Sequence, residues 1–201
     1  MTTETLSKAR RNDKRDRLVQ AADQLIYEQT FHNTTLAHIA TLADVPLGNV
    51  YYYFKTKDDI MHAVLAHRSK QQQALFATWS ALPKVTERLS AMLQHTVSQA
   101  ETIAQHGGIT GSLSQELGKD ATSVLGNVAA KILQDSLKWV QTQFEALGCE
   151  AEAPVLAAHW VANLEGMMLL SSTFKQPSLM AEQSKVLENW LQHFVVKKVV
   201  A

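Results

Sequence analysis

Residues 48–57, GNVYYYFKTK, concentrate the side chains with the most chemistry to offer: a glycine, an asparagine, three successive tyrosines and two lysines. A phenol donates its hydroxyl to a phosphate oxygen while its ring packs on a sugar or a thymine methyl. A carboxamide reads a base edge, and a glycine lets the backbone approach closely. That is the chemistry of a nucleic-acid groove. The competing arrangement buries the rings between helices and leaves only the hydroxyls wet. Consecutive helical residues point about 100° apart, so the neighbours Tyr51, Tyr52, Tyr53 and Phe54 cannot all face one core. Val50 and Phe54 share a face. With their midpoint taken as inward, Tyr52 points directly outward and Tyr51 and Tyr53 flank it at about 80° from inward. Gly48 and Asn49 then lie well to the outside. Lys57, in the first turn of the next helix, opposes the helix dipole unless an anion such as a phosphate sits there.

Other chemistries fit poorly. Ser112 lacks a G-x-S-x-G frame, and GGITGSLSQEL (residues 107–117) has neither the Lys-Ser/Thr pair nor the preceding strand of a phosphate loop. The eight histidines form no His-x-x-x-His pair and no H-E-x-x-H motif, and no carboxylate pair stands out on one helix. Cys149 is the single cysteine, which excludes an intrachain disulfide and a cysteine-cluster zinc site. A lone loop thiol without an adjacent base reads as inert rather than as an oxidant sensor. An enzyme is therefore not expected, and no motif calls for a metal or cofactor.

The elements that must hold the tyrosines are helical. Leu18, Ala21, Ala22, Leu25 and Ile26 mark one face of a first helix, and Leu36, Ile39, Ala40 and Ala43 mark a short second one capped by Thr34 or Thr35. Asp44 tolerates the left-handed backbone of a tight turn. The third helix ends near Phe54, and Thr56 with Asp59 forms a capping box opening a fourth over 57–79. Further helices are expected over 84–105, 109–118, 121–147, 154–174 and 178–197, with breaks at glycines and prolines. The fold class is all-α: a small helix-turn-helix module over 1–67, including a basic arm, and a larger helical body over 68–201.

Composition agrees with a globular chain of 201 residues, 46% hydrophobic and 19% charged. No apolar run approaches the roughly 20 residues of a bilayer span, and the polar, basic N-terminus does not read as a secretory signal, so a cytoplasmic setting is expected. Net charge is zero. Residues 1–17 nevertheless carry Lys8, Arg10, Arg11, Lys14, Arg15 and Arg17 against Glu4, Asp13 and Asp16. Such a local surplus acts on phosphates within a Debye length of about 8 Å, although it equally describes a solvated terminus.

From about Lys14 to Arg68 the sequence resembles the TetR (tetracycline-repressor) family. The likeness rests on the Phe31-x-x-Thr34 entry, LAHIATLADV and GNVYYYFKTKDDI. It implies that Gly48, Asn49, Tyr52 and Tyr53 face the groove, with Tyr51 and Lys57 on phosphates, Thr35 near the backbone and Leu47 completing the DNA-binding set. Val50 and Phe54 would hold the recognition helix. Two departures matter: Pro46 stands where a capping serine is common, and Leu47 where lysine is common, so a different operator preference is implied.

The same resemblance implies a dimeric repressor of a palindromic double-stranded operator, released by an apolar or aromatic small-molecule inducer. Met92, Leu113, Trp139, Phe144, His159, Asn163 and Met167 are the candidate pocket residues, each also compatible with plain core. Leu187, Trp190, Leu191, Phe194 and Val195 form an i, i+3, i+4, i+7, i+8 stripe that suits a homodimer interface or an intrachain face. Two other functions stay open: an architectural or division-control DNA-binding protein, and a ligand-binding protein with a vestigial helix-turn-helix.

Overall fold

Leu18, Ala21, Ala22 and Ile26 line one side of the first helix and are buried, as their spacing requires. The computed structural model describes residues 3–120 and 122–200, with side chains over 13–120 and 122–195. The Lys8, Arg10 and Arg11 side chains of the basic arm lie outside that set. The described residues form α1 (Thr3–Asn33), α2 (Leu36–Leu42), α3 (Leu47–Tyr53), α4 (Lys57–Ser80), α5 (Val85–Val97) and α6 (Ala100–His106). They continue as α7 (Ile109–Leu117), α8 (Val124–Ala146), α9 (Ala153–Phe174) and α10 (Ser178–Val200), with no strand.

Two cores result. One lies under α1–α4 and is closed from the body by Leu113, Leu117, Leu125, Ala129 and Ile132 of α7 and α8. The other is centred on Leu89, Leu93, Phe144, Trp160, Met180 and Leu191. Helix α4 belongs to both: Ile60, Met61, Val64 and Leu65 enter the first, Phe76 and Trp79 the second. A boundary at residue 67 therefore falls inside one continuous helix.

Local chemistry sets the ends. Thr35 caps α2 by accepting from the His38 amide at 3.1 Å, Asp44 takes φ 50° in the turn, and Thr56 with Asp59 completes the capping box of α4. Two boundaries differ from the sequence reading. The single helix expected over 84–105 is broken into α5 and α6, where Thr96 donates back to Met92 O and Ser98 to His95 O, an alternative to a continuous ladder. Helix α8 starts only after Ser123, whose hydroxyl accepts from the Gly126 amide.

Candidate DNA-recognition face and effector cavity

Val50 and Phe54 are buried at 0% and 3%, so α3 is held to its module by the expected pair. Tyr52 is the most exposed tyrosine at 64% and Tyr51 follows at 47%. Leu47, Gly48 and Asn49 are exposed beside them, as is Thr35 at the start of α2. Tyr53 is partly buried against the module core, and its ring meets that of Tyr52 edge-on at 5.1 Å. The symmetry expected for Tyr51 and Tyr53 is lost because Phe54 leaves the helix in an extended conformation. With Val50 alone as inward, Tyr53 lies about 60° from it and Tyr51 about 100°.

The module is braced by residues that the sequence reading assigned elsewhere. Arg17 donates to the carbonyls of Ala43 and Asp44 and so ties α1 to the turn between α2 and α3. Arg15 stacks over the Phe54 ring at 5.3 Å. Lys57, expected on a phosphate, donates to Phe31 O at 2.9 Å and His32 O at 3.1 Å and lies 4.4 Å over the Phe31 ring. The carbonyls at the end of α1 satisfy the ammonium in place of an anion.

That end of α1 is unusual. Thr30 adopts φ 75°, ψ 160°, a region occupied almost only by glycine, which interrupts the helix. The neighbouring peptide groups are held from two sides. Lys57 of α4 takes the Phe31 and His32 carbonyls, and Glu116 of α7 accepts from the Phe31 and His32 amides at 3.2 and 2.8 Å. The module and the body thus grip the same two residues.

Further along α4, Arg68 pairs with Asp23 at 2.5 Å and lies over the Tyr27 ring, whose hydroxyl donates to Gly107 O at 2.9 Å. Burial pushes the Tyr27 phenol up, against the smaller lowering effect of Arg68. These groups form one end of a cavity of about 250 Å³ between α4, α5 and α7–α9. Its wall is largely apolar, including Leu75, Phe76, Trp79, Met92, Leu164 and Met168, with Gln72, His95 and Glu165 among its polar groups.

Of the seven pocket residues expected from sequence, Met92 alone lines this cavity. Trp139 stands behind it, stacked on Phe76 at 5.0 Å. Leu113, Phe144 and Met167 are consumed by the cores. His159 and Asn163 lie on the outer side of α9. Helical rotation explains the misses: α9 turns Val161, Leu164, Glu165 and Met168 toward the cavity, so His159 and Asn163 face away. Glu165, which the sequence reading missed, carried a signal: it is the one Asp, Glu, Lys or Arg in α9.

The expected dimer stripe is placed differently too. Leu187 and Leu191 are buried inside the chain, and Trp190, Phe194 and Val195 pack against the same core. Among the described residues of α9 and α10, the large apolar side chains left outside are Val155, Leu169, Leu170 and Phe174 of α9 and Val186 of α10.

A helix-turn-helix with an exposed α3, joined through α4 to a helical body with a cavity, defines a DNA-binding regulator. The family model for bacterial regulatory proteins of the tetR family matches residues 18–64. The transcriptional repressor NemR of Escherichia coli K12 is 26% identical over 212 residues, 98% of each chain. In fold, the TetR-family regulator SCO4454 of Streptomyces coelicolor matches with a TM-score of 0.79 at 18% identity, covering 92% of this chain and 96% of its own. The reduced form of E. coli NemR matches with a TM-score of 0.74 at 22% identity, covering 88% and 96%. Residues 18–64 thus carry the DNA-binding segment of the tetR family, and the whole chain is similar in sequence to a transcriptional repressor and in fold to tetR-family regulators.

Proposed function

We propose that the protein is a homodimeric repressor that binds a palindromic operator and leaves it when a small molecule enters the cavity. The observation that carries this reading is the single helix α4, which starts in the DNA-binding module and presents Arg68, Gln71, Gln72, Leu75, Phe76 and Trp79 to the cavity. A ligand that moves these side chains moves the support of α3. The double grip on Phe31 and His32 offers a second route, because α7 also borders the cavity. Full-length similarity to a repressor supports the sign of the regulation.

A dimer would cover the apolar side chains that α9 and α10 leave exposed among the described residues. Two-fold symmetry would set the paired α3 helices in successive major grooves, about 34 Å apart. Gly48, Asn49, Tyr52 and Leu47 would meet base edges, while Tyr51 and the rim of Tyr53 meet the backbone.

Footprinting the purified protein on DNA flanking its own coding region tests the reading. One protected inverted repeat is the expected result. Many dispersed sites would favour the architectural alternative, and no protection would make the module vestigial. Sedimentation of Phe174→Glu should show monomers with weakened operator binding, whereas an unchanged dimer would place the interface elsewhere.

A further inference from the structure

We propose that the cavity takes a cationic aromatic ligand, with Glu165 as its counter-ion and Phe76 and Trp79 as its aromatic wall. This rests on the reading of the cavity as the effector site and adds the charge and shape of what enters it.

The charges on the cavity wall are unequal in availability. Arg68 is already engaged by Asp23 and covers the Tyr27 ring. Glu165 has no hydrogen bond or ion pair among the described residues, although it is largely buried on an otherwise uncharged helix. A carboxylate largely but not wholly withdrawn from water, with no protein partner, is costly to ionise, so its presence in an apolar wall favours a cationic ligand. Burial pushes the Glu165 carboxyl up from its ordinary value, and burial also holds His95 on the facing helix down toward neutral imidazole. His95 therefore supplies no competing positive charge at neutral pH.

The backbone makes room for this carboxylate. A Cβ on Gly111 of α7 would lie 2.5 Å from Glu165 Oε2, so the glycine leaves space that any other residue would fill. Gly111 also sits in the first turn of α7, whose positive end favours the ionised carboxylate over the protonated one. Nearby, Gln72 donates to Ser136 Oγ at 2.8 Å, which leaves its buried Oε1 without a donor. A ligand N–H would satisfy it. The aromatic component comes from Phe76, stacked parallel to Trp139, and Trp79, tilted against both. Such faces attract a delocalised cation through their quadrupoles.

Three fused-ring probes of matched shape separate the possibilities: 1-methylquinolinium, neutral 1-methylnaphthalene and anionic 1-naphthoate. Binding to the full-length protein is read by calorimetry and by quenching of tryptophan fluorescence. The cation should bind about tenfold more tightly than the neutral isostere, and the anion weakest. Glu165→Gln should bring the cation down to the neutral probe and leave the neutral probe unchanged. Gly111→Ala, which displaces the flexible carboxylate, should lose part of the same preference and so covers the case of a poorly folding Glu165 variant.

Equal affinities, a preference for 1-naphthoate, or a preference that survives both substitutions would overturn the charge assignment and leave the cavity a ligand site. Binding by none of the three probes would overturn both. A cation that binds but leaves the footprinted DNA complex intact would sustain the ligand class and defeat the effector reading.

Discussion

The recognition face and the cavity are built in opposite ways. The face is a run of neighbours on α3, and its geometry follows from where Val50 points. The cavity draws on residues from Tyr27 to Met168, contributed by helices far apart in sequence. One helical rotation decides what α3 exposes, whereas the cavity depends on the packing of α4, α5 and α7–α9 together. A further contrast follows from burial. Side chains on the face are free to change without unfolding the protein, while those beneath the cavity hold the body together.

The largest expected effect tests that contrast in the body. Phe144 is fully buried and meets the rings of Trp190 and Phe194 edge-on. Phe144→Ala should cost about 3–5 kcal/mol in urea denaturation, with no selective loss of ligand binding. A small cost with lost ligand binding would return Phe144 to the pocket. On the face, Asn49→Ala and Tyr52→Ala should each lower operator affinity by about 1–3 kcal/mol. Stability should stay within about 0.5 kcal/mol of the parent. Equal losses of stability and affinity would dissolve the distinction.

Lys57 stands between the two regions and sharpens the comparison. Since its ammonium holds the Phe31 and His32 carbonyls, Lys57→Met should destabilise the module by about 1–2 kcal/mol. The salt dependence of DNA binding should not change. A salt slope reduced by about one charge, with stability retained, would mean that the lysine turns to a phosphate on DNA. Thr30→Gly should act in the other direction. It relieves a backbone conformation that costs a β-branched residue about 1 kcal/mol or more, and a raised melting temperature is the check.

What the sequence disclosed follows the same division. The capping box at Thr56 and Asp59, the turn at Asp44, the anchors Val50 and Phe54 and the outward Tyr52 all depend on contacts within a few residues, and periodicity or capping chemistry exposes these. Lys57 misled because its partners lie 25 and 26 residues away on α1. The stripe from Leu187 to Val195 was real as a face, but periodicity does not say whether a face meets its own chain or a second one. The cavity residues were largely hidden, because a Met or Trp at helical spacing looks the same in core and wall. Glu165 is the exception: a lone charge in a long apolar helix marks a place where burial has a purpose other than packing.

That exception gives the smallest expected effect and the most direct test of whether the cavity trades stability for binding. Burial raises the folded-state pKa of Glu165 above its ordinary 4.5. A carboxyl whose pKa is raised by folding binds more protons when folded, so its contribution to stability is fully present below 4.5 and is lost as pH rises through the folded value. The groups facing it are Arg68, already paired, His95, whose pKa burial lowers, Tyr27, whose phenol burial raises, and the amide end of α7, which opposes the shift while the net direction stays upward. None reverses the sign. Glu165→Gln removes the titration and keeps the shape. Without ligand, the variant should match the parent at acid pH and melt above it at neutral pH, while binding the cationic probe less tightly. A variant less stable at neutral pH would mean that the carboxylate has a favourable partner within the protein, and the cavity would then have no unmet charge to offer a ligand.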